Sequence, residues 1–201
     1  ELGGNTLVVY GNNSSAAVAG NLEITSGARS ITGSAGSILD IRGTFANNPT
    51  WFTKTVTNPG SGTLTCAPNV TVRIGDGRMD FGTGSPVTIN GVLQVMLGGS
   101  VYPNPCYYGT ASTLRFANTV DYVVPSSDLT WAAGAISSGN PGIPWNVEVS
   151  DVGTDLQLND TRALRGNLTI NNGSFTLSSG YTGSFNIGGN WSRSGASSNF
   201  V

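Results

Sequence analysis

The densest cluster of ionisable side chains is RIGDGRMDFG, from Arg73 to Gly82. In a strand, alternate residues share a face, so Asp76, Arg78 and Asp80 would point the same way. Carboxylates gathered on one side suggest either a calcium site or the acid pair of a sugar-cleaving enzyme. Asp76 and Asp80 would stand about 13 Å apart at roughly 3.3 Å per residue. A glycosidase pair needs about 5–9.5 Å, so a second strand would have to complete it. Calcium needs converging oxygen ligands, and Asp76 and Asp80 are the candidates for it. The simpler expectation is an exposed comb of ion pairs, each worth little. Asp151, Asp155 and Asp160 flank the alternating stretch TDLQLND and are expected at turns.

There is no histidine in the 201 residues. This removes Ser-His-Asp and Cys-His catalysis, His-ligated zinc and histidine general bases. Neither a P-loop nor a dinucleotide fingerprint occurs, so no cofactor is expected. Cys66 and Cys106 are the only cysteines. They could pair as a disulfide in an exported protein, or lie buried separately as small apolar residues. The remaining candidates are aromatic. Trp131 and Trp145 are the first choices for stacking on a glycan, with Trp51, Trp191 and YPNPCYY (Tyr102 to Tyr108) behind them. The competing expectation is that these rings cover the apolar interior.

The elements that must position these groups follow from composition. Charged residues make up 10% of the chain, against roughly 25% in an ordinary soluble domain. The single lysine is Lys54, and the only glutamates are Glu1, Glu23 and Glu148, so strong charged helix formers are nearly absent. Val, Ile, Leu, Phe, Tyr and Thr recur between Gly, Asn and Ser, which is a β composition. A net charge of −2 with no basic stripe argues against nucleic-acid binding. No apolar run is long enough for a helical membrane span. The ends, ELGGNTLVVY and SRSGASSNFV, read as cut from a longer chain.

The sequence also repeats itself. GNLEITSGARSITGSAGSILDIRGTF, from Gly20, aligns without a gap on GNLTINNGSFTLSSGYTGSFNIGGNW, from Gly166. Gly20, Asn21, Leu22, Ile24 and Gly27 match Gly166, Asn167, Leu168, Ile170 and Gly173. Ile31 matches Leu177, and Leu39 matches Phe185. A third copy of the core pattern is GVLQVMLGGSVY, with Gly91, Leu93, Val95 and Gly98 in the same places. The strongest units are therefore 20–45, 91–102 and 166–191. In each, alternation puts Leu168 and Ile170, or their equivalents, on one face and closes at a Gly or Asn turn. The chain is expected to be all-β, a parallel β-solenoid (β-helix) of imperfect repeats running continuously from 1 to 201. A tandem β-sandwich is the alternative.

The phrases STLRFANTVDYVV, GIPWNVEVSD, TDLQLND, LRGNLTINNGSFTL and FNIGGNWSRSG occur in order. As a set they resemble the repetitive β regions of very large cell-surface proteins of Bacteroidota, exported by the type IX secretion system. The resemblance is best from about Thr110 to Ser194. It implies a secreted, extracellular location and a stalk or adhesin role. The implied partners are neighbouring repeats of the same long chain, glycans or other cell surfaces, and the secretion translocon. The leading expectation is a non-catalytic structural segment. The alternatives are a carbohydrate-binding or polysaccharide-degrading β-helix, and a type IX cargo bound to its export machinery.

Overall fold

A computed structural model describes residues 6–10, 22–23, 28–42, 53–57, 63–75, 77–81, 87–136, 139–195 and 199–200. The chain is all-β, and among the described residues every pair of strands is parallel, with one isolated antiparallel bridge between Ala133 and Arg162. The longest sheet holds eight strands: β1 (Thr6–Tyr10), β4 (Ser37–Arg42), β7 (Val70–Ile74), β10 (Val92–Val95), β13 (Thr113–Phe116), β15 (Asn146–Val149), β18 (Leu168–Ile170) and β21 (Trp191–Arg193). Between its members the chain visits other sheets. One contains β2 (Leu22–Glu23), β5 (Thr53–Thr57), β8 (Gly77–Asp80) and β11 (Gly99–Val101). Another contains β3 (Ala28–Ile31), β6 (Thr63–Cys66), β9 (Val87–Ile89) and β12 (Tyr107–Tyr108). Further along, β14 (Tyr122–Val124), β16 (Asp155–Leu158), β19 (Ser174–Leu177) and β22 (Asn199–Phe200) form a fourth sheet, and β17 (Arg162–Leu164) pairs with β20 (Phe185–Ile187). Most strands therefore pair with the strand three further along the chain.

Register explains why short strands suffice. In the long sheet Val72, Leu93, Leu114, Val147 and Leu168 lie in one column, and Ile74, Val95, Phe116, Val149 and Ile170 in the next. All ten side chains are buried. Each strand alternates as the sequence predicts, with the intervening residues turned away from the core. The outward positions form polar columns instead. Arg115 pairs with Glu148 at 2.9 Å on the adjacent strand, and Asn171 Nδ2 donates to the same carboxylate at 2.8 Å.

Asparagine and glycine share one corner. Asn167 N–H donates to Asn146 Oδ1 at 2.9 Å, and Asn190 N–H donates to Asn167 Oδ1 at 2.9 Å. Each amide side chain thus satisfies the backbone of the next period, as in stacked asparagine ladders. Gly166 makes room for it, because a Cβ there would lie 2.5 Å from Asn146 Oδ1. Gly189 stands in the same relation to Asn167 Oδ1, also at 2.5 Å. This is the physical content of the recurrent Gly-Asn phrase.

One alignment in the sequence is out of phase. Leu22 lies in β2 whereas Leu168 lies in β18 of the long sheet, and Leu39 (β4) is matched to Phe185 (β20). Unit 20–45 is therefore displaced relative to unit 166–191, while Leu93 and Leu168 do share the long sheet. Every strand of the period uses the same alternation and turn chemistry, so similarity alone cannot distinguish one sheet from another. Gly20, Asn21, Ile24 and Gly27 lie outside the described residues.

Replacing Asn167 with Ala should lower stability by about 1 kcal/mol, the net worth of one hydrogen bond. Gly166→Ala should cost more, about 1–3 kcal/mol, because the methyl group collides with a fixed amide. Urea unfolding followed by circular dichroism measures both, with exposed Asn186→Ala as the neutral control.

Candidate functional site

The regular stacking breaks once in the middle of the described residues. β10 and β13 pair in the long sheet, yet β11 and β14, which follow them, belong to different sheets. The cause lies downstream. Thr113 and Asn146, which begin successive long-sheet strands, are 33 residues apart, whereas Val92 and Thr113 are 21 apart. The extra chain follows Pro125, which ends β14, and carries the short 3-10 turn Leu129–Trp131.

Polar side chains from this insertion replace the missing strand pairing. Asp128 caps the turn, and its Oδ1 accepts from Thr130 N at 2.8 Å and from Thr130 Oγ1 at 2.6 Å. The free edge of β11 is held by the same pair: Val101 N donates to Thr130 Oγ1 at 2.9 Å and to Asp128 Oδ1 at 3.3 Å. The Tyr122 hydroxyl donates to Asp128 Oδ2 at 2.5 Å and lies 3.1 Å from the Gly99 carbonyl. The Tyr108 hydroxyl donates to the Thr130 carbonyl at 2.7 Å. Burial, reinforced by the Asp128 charge, pushes the Tyr122 phenol well above its usual range. Burial does the same to Tyr108, with Cys106 adding to it.

Arg162 fastens the insertion from the other side. Its side chain is fully buried, and it donates from Nη2 to the Pro125 carbonyl and from Nη1 to the Thr161 carbonyl, both at 2.9 Å. Its nearest carboxylate is Asp160, at 3.7 Å. Burial pulls its pKa down. Above the network, an open groove of about 250 Å³ separates β11 from β14; Ser100, Tyr102, Tyr122, Val123, Ser127 and Asp128 are among its walls.

The residues singled out in the sequence fall elsewhere. Trp131 is completely buried, its indole N–H donating to the Ala163 carbonyl at 2.8 Å, with Phe116 and Phe185 ring centroids 6.4 and 5.9 Å away. It is a core anchor for the insertion and cannot stack on a glycan. Trp145 is half-buried, and the Arg165 guanidinium covers its ring at 5.2 Å from the centroid. Trp191 is exposed at the edge of the long sheet, above Leu168. Trp51 lies outside the described residues.

Cys66 and Cys106 are both free and buried, with no disulfide between them. Cys66 is in register with Ile89 of β9, and Ile89 with Tyr108 of β12, so Cys106, which directly precedes β12, lies about two strands away. Two strand spacings are about 9.6 Å, beyond the roughly 4.4–6.8 Å between bridged Cα atoms. Burial pushes the Cys66 thiol up to about 12 and raises Cys106 as well.

Asp80 accepts from Asn104 Nδ2 at 2.8 Å, while Asp76, its proposed calcium partner, lies outside the described residues. Among the described residues no three His, Cys, Asp or Glu side chains gather where they could hold a metal. Asp155 opens strand β16 rather than occupying a turn. Burial tends to raise its pKa, but hydrogen bonds from Ser174, Gln157 and Thr176 outweigh this and hold it low. The Asp128 network was missed in the sequence. Its one signal is Pro125 followed by Asp128, a strand stop and a turn cap.

No protein-family model, curated protein or solved structure matches the chain.

Asp128→Ala should destabilise by about 3 kcal/mol, since it orphans the Thr130 N–H group and takes the charged acceptor from the Thr130 and Tyr122 hydroxyls. The raised thiol and phenol pKa values also set an alkaline limit. Groups held protonated by the fold contribute fully below their unfolded pKa and lose that contribution as pH rises towards the folded value. Thermal midpoints should therefore hold steady at neutral pH and fall above about pH 9. The native thiols should resist iodoacetamide at pH 8 and react once urea unfolds the chain.

Proposed function

We propose that the three-strand periods close into a parallel β-solenoid, and that this chain is a non-catalytic stalk or adhesin segment of a secreted bacterial surface protein. The observation that carries this is the pair of unbroken apolar columns running through the long sheet from Val72 to Leu168 and from Ile74 to Ile170. A single period cannot bury its own apolar side chains, but stacked periods cover one another, so length adds without new chemistry. Eight parallel strands at about 4.8 Å spacing would span roughly 34 Å, and the same rule extends to any number. A surface poor in charge and rich in Asn, Ser and Thr suits a spacer that must not bind indiscriminately. The ordered Gly-Asn phrases favour export by the type IX route to the outer cell surface.

Small-angle scattering on the purified chain should give the profile of a rod of constant cross-section. Antibody labelling of intact producing cells should detect it outside, and the signal should vanish when the type IX translocon is deleted. A globular scattering profile, or turnover in a polysaccharide hydrolysis screen, would remove the shaft reading.

A further inference from the structure

We propose that the groove between β11 and β14 binds one neutral sugar ring, a property independent of whether the chain serves as a shaft. The groove exists because the sheet is interrupted, and its chemistry is mixed in the way a sugar requires. Tyr102 and Val123, 43% and 48% exposed, supply apolar surface for the C–H face of a pyranose. Ser100 and Ser127, which carry hydroxyls, are among the wall residues. At the base is Asp128, itself 3% exposed and held rigid by the network. Its Oδ1 already takes three donors, from Val101 N, Thr130 N and Thr130 Oγ1, whereas Oδ2 takes only the Tyr122 hydroxyl. A carboxylate offers about four lone-pair sites over two oxygens, so Oδ2 retains an acceptor site for a ligand hydroxyl.

The same features exclude other ligand classes. Among the described lining residues Asp128 is the sole charge, which disfavours phosphates, uronates and sialic acids. One carboxylate without further acids does not make a calcium site. An added peptide strand would need the edge of β11, but its Val101 N–H is already committed to Thr130 and Asp128. The volume, about 250 Å³, lies below the roughly 300–1,000 Å³ of drug-sized pockets and matches a single ring. Rigidity of the base means that little ordering accompanies binding.

The test is saturation-transfer-difference NMR on the whole chain with the methyl glycosides of glucose, galactose, mannose, fucose and N-acetylglucosamine, and methyl glucuronoside as the acidic comparator. At least one neutral glycoside should bind with Kd on the order of 1–10 mM and shift the amide signals of Tyr102 and Ser127, while the glucuronoside should not bind. Val123→Trp, at an exposed position, should fill the groove and abolish the effect. Tyr102→Ala should weaken binding about tenfold. Trp191→Ala, outside the groove, should change nothing. The proposal is overturned if no neutral glycoside binds up to about 50 mM. It is equally overturned if binding survives Val123→Trp, or if Trp191→Ala removes it.

Discussion

The structure depends on parallel strands stacking in register, so that like side chains lie over like. At about 4.8 Å between strands, an apolar residue touches its counterparts above and below, and the backbone edge is consumed at the same time. Leu114 therefore needs Leu93 and Val147 more than it needs any sequence neighbour. The polar columns obey the same geometry. Arg115 meets Glu148, and Asn146, Asn167 and Asn190 hand one hydrogen bond along the corner. Charge is scarce because a column of identical charges at this spacing would repel itself. Glycine is frequent partly because side chains of one period pass close to the backbone of the next.

A stack of this kind has little chemistry while it is regular. Its one described interruption changes that. Where β11 and β14 fail to pair, buried donors and acceptors would be left orphaned, and Asp128, Thr130, Tyr122 and Tyr108 satisfy them. The long sheet passes the break undisturbed, so the insertion costs the core nothing on that side. Trp131 and Arg162 then tie the inserted chain down, one through packing and the other through carbonyl contacts. The polar groups concentrate where the repeat fails, and the groove lies directly over them.

Much of the fold was legible in the sequence. VTVRI, TLRF, NVEV and DLQL read as strands by alternation, and each is one, with its apolar residues buried. Leu168 and Ile170 as core, and Asn171 to Gly173 as the turn between β18 and β19, also follow from pattern alone, with Gly173 at φ +82°. The candidate site was much less legible. For Trp131 both a ligand-stacking ring and a core ring were open, because composition does not say which side of a strand-poor insertion faces inwards. Whether Cys66 and Cys106 pair or lie apart was open in the sequence, because nothing local fixes the number of strands between them.

What the sequence determined by itself is the period-two alternation, the turn residues and the shortage of charge, because these act over a few residues and need no partner. What only the tertiary structure decided is which strand lies above which. That assignment placed Leu22 and Leu168 in different sheets, kept the two thiols apart, buried Trp131 and opened the groove above Asp128. The physical reason is that all strands of the period share one local chemistry. Their identity is set by how many residues the chain takes to return, and a single insertion after Pro125 shifts that count.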